Sequence, residues 1–259
     1  MDASPAVRQV ITALGATVAS DRWDMTFDLS FTPPPSTAGG AGPSKAMTIS
    51  GHGTTNVNPF AMVAFSDVPG VGPVTTMMSG STLWELGGAQ YGSAANAGAG
   101  TGGSIAGFAP VVEQTLGPQE GAVAMLGLGS ATGYLDLVQQ AITSASTTGT
   151  GTLDGASVTY YQVVVDPTKL FSSAATTPEE TSAVQAALQL LSNNGYRTMQ
   201  DTVAVDGSGH IRGIVELVTF SDGGVVSEHT TFSNFGCAAT VVLPNAASPP
   251  TTLAPCKTP

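Results

Sequence analysis

Two kinds of hydrophobic spacing alternate along the chain and define its predicted elements. In residues 4–19 apolar side chains recur every three or four positions, which is the spacing of the buried face of a helix. Ser4 and Pro5 begin this segment as an N-cap residue followed by proline at the first helical position. From Trp23 to Phe31 the spacing changes to strict alternation, which predicts a strand with one strongly apolar face.

Further strands are predicted in the N-terminal half, after a Pro- and Gly-rich loop over residues 32–46. The β-prone segments between turn residues are 47–57, 60–65, 74–78 and 82–86. This half is therefore predicted to be a helix followed by four or five antiparallel strands.

Helices are predicted in the middle of the chain. Residues 104–143 carry apolar side chains at helical spacing interrupted by glycine, which indicates two short, well-buried helices. A capping box with proline at its first helical position begins a third helix within residues 177–195. The Gly- and Ala-rich segment 89–103 is either disordered or a functional loop, and the sequence leaves both open.

Asp-Gly and Gly-Gly turns between β-prone runs predict antiparallel pairing in the C-terminal half, because primed turns need a positive φ. One hairpin covers residues 146–165 and turns at Asp154-Gly155, and a meander covers residues 196–243. Strands and helices do not alternate regularly, as a parallel sheet would require. The predicted class is α+β, with a single antiparallel sheet that has helices on one face.

The charge balance excludes some functions. Eighteen acidic side chains against seven Lys and Arg give a formal charge of −11, with only 10% of all residues charged. Nucleic acids and anionic membrane surfaces are bound by clustered cations, so we expect no nucleic-acid partner. No apolar run reaches the ~18 residues of a membrane-spanning helix.

Both cysteines, Cys237 and Cys256, flank a Pro-rich segment near the end of the chain. A disulfide between them would tie back the C-terminal tail, residues 246–259, and would place the protein in an oxidising, extracytoplasmic compartment. Two buried free thiols are the alternative. The first four residues look like an initiator methionine added to a mature sequence, which suggests a removed leader or lipid-anchor segment.

The candidate chemistry is sparse. His52, His210 and His229 have no second His or Cys at metal-ligand spacing, and no Gly-x-Ser-x-Gly or His-Glu-x-x-His segment occurs. The Gly-x-Gly patterns are not followed by Lys-Ser/Thr, as a phosphate-binding loop would be. We therefore predict no enzyme, no metal and no cofactor, and a secreted hydrolase with an unfamiliar Ser-His-Asp spacing is the less favoured alternative.

Two segments resemble the mycobacterial LppX/LprG-type envelope lipoproteins. They are residues 153–166, LDGASVTYYQVVVD, and residues 202–212, TVAVDGSGHIR. The resemblance implies a strongly curved half-barrel sheet with helices packed on its concave face, related in architecture to periplasmic lipoprotein carriers, in one lipid-carrier-like domain over residues 1–245. It also implies an acylated lipid or glycolipid as the partner. The lipid-attachment cysteine expected of the family is absent from the start of this chain.

We therefore hypothesise a monomeric, non-enzymatic lipid carrier, secreted or anchored at the outer face of the cell membrane. A sensory or protein-binding module with the same fold is the alternative. Neither the ligand nor the face that lines the cavity is determined by the sequence. The residues predicted to line the cavity, chosen by face and by helical spacing, are Met25, Phe27, Leu29, Ile49, Phe60, Met62, Leu126, Tyr134, Leu135 and Val138.

Overall fold

The computed structural model describes residues 4–33, 46–57, 61–69, 72–79, 82–87, 111–115, 141–166, 196–237 and 241. The helix predicted within 177–195, the loop 89–103 and the C-terminal tail lie outside these residues. The chain forms two compact units. The first consists of Met1–Ala19, Phe27–Thr48 and Pro118–Phe232, and the second of Ser20–Thr26, Ile49–Gly117 and Ser233–Pro259.

The described elements are one helix and eleven strands. The helix α1 spans Pro5–Ala19. The strands are β1 Arg22–Thr32, β2 Met47–Asn56, β3 Ala61–Val68, β4 Gly72–Ser79, β5 Thr82–Gly87, β6 Val111–Thr115, β7 Ile142–Leu153, β8 Ala156–Val165, β9 Tyr196–Asp206, β10 Ile211–Phe220 and β11 Val225–Ser233.

The strands hydrogen-bond in the order β6-β5-β4-β3-β2-β1-β11-β10-β9-β8-β7. Eight of these neighbouring pairs have a continuous antiparallel register in the described part of the chain. The predicted single antiparallel sheet is confirmed for the described part of the chain. The predicted helices on a concave face, and the single domain over residues 1–245, stay predictions.

The helix α1 is fixed at both ends by hydroxyl groups. At its start, the Val7 amide donates to Ser4 Oγ at 3.2 Å, which confirms Ser4 as the N-cap. Val10 and Leu14 are buried where α1 packs against β7, β8, β9 and β10. Near its end, Thr17 Oγ1 donates to the Ala13 carbonyl and accepts the Ile211 amide at 2.9 Å.

The turns predicted from Asp-Gly and Gly-Gly pairs are confirmed. Asp154 and Gly155 both have positive φ, 49° and 79°, which is the geometry that a type I′ turn requires. This turn sets the register of β7 and β8, in which Leu153 pairs with Ala156. Two further turns join β9 to β10 and β10 to β11, and each pair of strands is antiparallel.

One predicted element is wrong. The segment around Val111 and Val112, predicted as a short helix, is strand β6, which pairs with β5. A short apolar run does not distinguish a strand from a buried helix by its periodicity. Ile142, assigned to the second helix, begins strand β7, and only Ala141 of the described residues there is helical.

The second unit has its own core on one side of β3 and β4. Ala61, Val63 and Met77 are buried together with Val241, and Phe65 packs against them. Among the described helices, none is both long and apolar enough to cross a membrane.

Candidate functional site

One face of strands β8, β9 and β10 in the first unit is buried and mostly apolar. Directly paired residues of antiparallel strands project to the same face, and side chains alternate along each strand. The register pairs Val163 with Asp201 and Asp201 with Glu216. We call this side the acid-bearing face, and its described side chains include Tyr161, Val163, Val165, Met199, Asp201, Val203, Val205, Ile214, Glu216 and Val218.

The opposite face of the same strands is open to solvent along part of its length, although Val158 and Ala204 on it are buried. Val164, Val215 and Leu217 lie on it with exposed fractions of 42%, 38% and 38%, beside the exposed side chains of Gln162 and Gln200. Consecutive residues of one strand therefore differ in burial: Val163 is fully buried, whereas Val164 is substantially exposed. The sidedness of the sheet in this unit is thus clear from burial alone.

Three carboxylates cross the acid-bearing face in one line. Asp201 of β9 is directly opposite Glu216 of β10, and Glu216 is directly opposite Glu228 of β11. Paired residues have Cβ atoms about 5 Å apart, and like charges in that arrangement destabilise a sheet. We call Asp201, Glu216 and Glu228 the acidic row. It was not predicted from the sequence.

Asp201 is the most buried member of the acidic row. Its exposed fraction is 1%, and neither carboxylate oxygen has a hydrogen-bond partner in the described structure. Burial raises the pKa of Asp201 well above its ordinary value, and the neighbouring Glu216 and Glu228 raise it further. Both effects disfavour the charged carboxylate and favour its protonated form.

Glu228 lies in a similar environment but accepts one hydrogen bond. Burial raises its pKa, while the hydroxyl of Thr230, which donates to Glu228 Oε1 at 2.9 Å, acts in the opposite direction. Among the described residues, no group of three or more His, Cys, Asp or Glu side chains has an arrangement that could hold a metal ion.

The β9–β10 turn contains a second acidic side chain with a different role. Asp206 Oδ1 accepts the amides of Ser208 and His210 at 2.9 and 3.0 Å, and Oδ2 accepts Arg212 Nε at 2.7 Å. Burial acts to raise the pKa of Asp206, but these hydrogen bonds and the Arg212 charge together lower it. A register shift between Ile211 and Gly213 marks a β-bulge at Arg212.

The Asp206 turn explains one of the two segments that carry the family resemblance. Gly209 has a φ of 86°, and its amide donates to the Asp206 carbonyl at 3.0 Å. Aspartate, glycine and arginine at this spacing therefore close a hairpin. Because the Asp206 carboxylate is engaged by two backbone amides and an arginine, its role is structural.

The histidines occupy unrelated places. His52 of β2 stacks on its cross-strand partner Phe65, with ring centroids 5.2 Å apart. His229 is exposed on β11 opposite Val215, and His210 lies in the β9–β10 turn. The structure thus places each of the three histidines in a different strand or turn.

Five of the predicted lining residues lie in described strands. Met25 of β1 and Met62 of β3 are buried, and Phe27, Leu29 and Ile49 are half-buried. The register Thr55–Met62 puts Ile49 and Met62 on one face of the second unit, and Met25 Cε lies 2.9 Å from where a Cβ of Gly53 on this face would be. Their role as ligand contacts stays a prediction. The other predicted lining residues, outside the described part, are Phe60, Leu126, Tyr134, Leu135 and Val138.

Two partnerless polar atoms lie on this face of the second unit. Trp23 Nε1 and Thr55 Oγ1 belong to fully buried side chains, and neither atom has a hydrogen-bond partner in the described structure. The Val57 amide donates to the Asp21 carbonyl at 2.8 Å, and the Thr54 hydroxyl donates to Asp24. These contacts pair residue 57 with 21 and residue 54 with 24, so an antiparallel register of β1 and β2 places Trp23 opposite Thr55. Buried polar atoms are normally satisfied, so this pair needs a partner.

A polar clamp lies on the other face of β1 in the second unit. Asp24 accepts from Thr54 Oγ1 at 2.6 Å and from Asn234 Nδ2 at 2.7 Å. The Gly236 amide donates to the Arg22 carbonyl at 2.7 Å, just before Cys237. Cys237 has no free thiol. Because Cys256 lies outside the described residues, its pairing with Cys237 stays a prediction.

Comparisons with known proteins add structural likenesses of low identity. No protein-family model matches the sequence, and no curated protein matches it. The chain is similar to the lipoprotein LppX of Mycobacterium tuberculosis, with 13% identity, 89% of this chain and 94% of that chain covered, and a TM-score of 0.49. It is similar to LprF from Mycobacterium bovis at 13% identity, 96% and 100% coverage and a TM-score of 0.46.

A third likeness is more distant. A putative outer membrane lipoprotein-sorting protein domain from Vibrio parahaemolyticus aligns with 10% identity over 88% of this chain and 91% of that chain, with a TM-score of 0.28. LppX carries the name of the family whose motifs the sequence resembles. LppX is thus among the solved structures to which this chain is similar.

Proposed function

We propose that this protein is a non-enzymatic binder and carrier of a lipid or glycolipid, with the acyl chains lying against the acid-bearing face. The proposal includes a monomeric protein in an extracytoplasmic location, either secreted or anchored to the outer face of the cell membrane. Burying an acyl chain of about sixteen carbons contributes on the order of 10 kcal/mol before ordering costs, at ~0.8 kcal/mol per CH₂. Binding of this kind needs no catalytic group.

The observation that carries the proposal is the width of the buried apolar surface. Strands lie about 4.8 Å apart, so β7–β11 together span about 19 Å. The helix α1 packs against four of these five strands, β7, β8, β9 and β10. Val163, Val203 and Ile214 form a buried apolar wall on three adjacent strands, which is the kind of surface that suits an apolar ligand.

The second unit supports the proposal independently. Ligand sites combine an apolar wall with a few polar groups that fix orientation. Trp23 Nε1 supplies a buried donor and Thr55 Oγ1 a buried donor and acceptor, and both lie on a face with Met25 and Met62. Flexible methionine side chains adapt to chains of varied shape.

Displacement of a fluorescent fatty-acid probe tests the proposal with a matched pair of variants. Val163→Phe adds bulk to the acid-bearing face, whereas Val164→Phe adds the same bulk to the solvent face of the same strand. We expect Val163→Phe to weaken probe binding about tenfold or more, which corresponds to ~1.4 kcal/mol, and Val164→Phe to leave it within twofold.

Circular dichroism and thermal unfolding of both variants provide the control for folding. If the folded Val163→Phe variant binds the probe as the unaltered protein does, while Val164→Phe weakens binding, the assignment of the binding face is wrong. If the unaltered protein binds no acyl probe at all, the carrier proposal fails and the sensory or protein-binding alternative takes its place.

A further inference from the structure

The acidic row poses a physical problem that lipid binding alone does not explain. Three carboxylates at adjacent positions on a buried, apolar face repel each other and lose hydration. In either protonation state, both carboxyl oxygens of Asp201 lack a hydrogen-bond partner in the described structure, and the exposed fraction of the residue is 1%. A purely apolar ligand face would have a Val, Ile or Leu at these positions, as β8 has at Val163.

We propose that the acidic row binds a cationic amine headgroup, an ammonium that carries N–H donors, on a ligand whose apolar chain lies along the acid-bearing face. The inference rests on the proposed lipid-binding function and specifies the polar end of its ligand.

Geometry favours an ammonium over other occupants. A primary ammonium has three N–H donors and one positive charge, and the row has three carboxyl groups on three consecutive strands. Paired positions about 5 Å apart allow one small cation to reach two neighbouring carboxyl groups of the row. The described residues hold no metal-binding arrangement, and the two unpartnered oxygens of Asp201 point to an occupant that donates hydrogen bonds.

Two further carboxyl groups share the face with Asp201. The face-sharing neighbours of Asp201 are Val163 on β8, Glu216 on β10 and, beyond it, Glu228 on β11 with the Thr230 hydroxyl. Burial and these two glutamates raise the pKa of Asp201. A bound ammonium would offset both effects, so protons and the ammonium compete for the row, and affinity should fall as the pH is lowered.

The test uses three ligands with the same twelve-carbon chain, each below its micelle concentration. Dodecylammonium carries charge and N–H donors, dodecyltrimethylammonium carries charge without N–H donors, and dodecanol is uncharged. Displacement of the fatty-acid probe at pH 7.5 should rank dodecylammonium at least about tenfold tighter than dodecanol, with dodecyltrimethylammonium between them.

Variants identify the row as the cause. Asp201→Asn and Glu228→Gln should each reduce the preference for dodecylammonium over dodecanol about tenfold. Asp154→Asn is the control, because Asp154 is an exposed turn residue with positive φ that asparagine tolerates, and the substitution removes the same net charge.

The outcomes separate the two proposals. If dodecanol and dodecylammonium bind equally and Asp201→Asn changes neither affinity, the ammonium inference is overturned and lipid binding stands. If neither ligand displaces a bound probe, the ammonium inference is overturned and lipid binding stands, whereas a protein that does not bind the probe at all overturns both proposals. A lowered preference at pH 5 relative to pH 7.5 that disappears in Asp201→Asn supports the row as the headgroup site.

Discussion

At the scale of single residues, two aspartates of strand β9 have opposite environments. Asp206 is held by two amides and Arg212, whereas Asp201, five residues earlier in the same strand, has no partner for either oxygen. Their pKa values shift accordingly, downward for Asp206 and upward for Asp201. One carboxylate therefore stabilises the fold, and the other costs stability when it is charged.

Asp206→Asn should destabilise the protein at neutral pH by roughly 1–3 kcal/mol, because the side chain is 4% exposed and its charge-assisted bond to Arg212 is lost. The folded pKa is lowered, so this contribution is present above the unfolded pKa of about 3.9 and is lost as the pH falls through the folded pKa. Urea unfolding at pH 7 and pH 3 measures the difference. A gap to the unaltered protein that does not shrink at pH 3 would contradict the assignment, and Asp154→Asn is the matched control.

Asp201→Asn should have the reverse pH dependence in the ligand-free protein. A carboxylic acid whose folded pKa is raised contributes stability below its unfolded pKa, and that contribution is lost as the pH rises through the folded pKa. The asparagine variant does not titrate, so its stability relative to the unaltered protein should increase from pH 5 to pH 8. Urea unfolding at several pH values measures this, and a pH-independent difference would refute it.

At the scale of elements, close contacts explain why particular residues join particular strands. The Ile211 amide, at the start of β10, donates to the hydroxyl of Thr17 on α1, and both groups are buried. Gly53 of β2 faces the Val63 carbonyl and Met25 Cε so closely that a Cβ would collide with both.

Thr17→Val should destabilise the first unit by roughly 1–3 kcal/mol, because the substitution leaves a buried amide without an acceptor at nearly unchanged volume. Thr152→Val, at an exposed position of β7, is the control and should change stability by less than about 0.5 kcal/mol. Thermal and urea unfolding compare the two variants. Equal effects of the two substitutions would show that the Ile211–Thr17 bond contributes nothing.

Gly53→Ala should destabilise by roughly 1–3 kcal/mol through overpacking against the β3 backbone. Gly149→Ala provides the comparison, because a Cβ there meets nothing within 4 Å. Denaturant unfolding should show the loss for Gly53 alone. A neutral Gly53→Ala would mean that β2 and β3 separate readily at this point.

The strands and turns were predictable from the sequence where local rules decide the structure. Asp154-Gly155 fixes a turn by its positive φ, and the alternation from Trp23 to Phe31 fixes a strand. The segment at Val111 was assigned to the wrong class, because a segment of five residues with two adjacent valines fits either period.

The acidic row and the Trp23–Thr55 pair were not predictable in the same way. Asp201, Glu216 and Glu228 are distant in sequence, and only the register of β9, β10 and β11 brings them into one line. A weak signal existed, since Asp201 sits at an inward position between Met199 and Val203. Without the register, however, a single acidic residue at such a position does not identify its neighbours.

At the scale of the whole molecule, the account predicts a protein that carries its ligand through purification. The most direct measurement is native mass spectrometry of the purified protein, followed by organic extraction and mass analysis of the extract. We expect one bound lipid or glycolipid per chain, exchangeable for an added acyl lipid. A protein that contains no extractable lipid and accepts none would contradict the central claim.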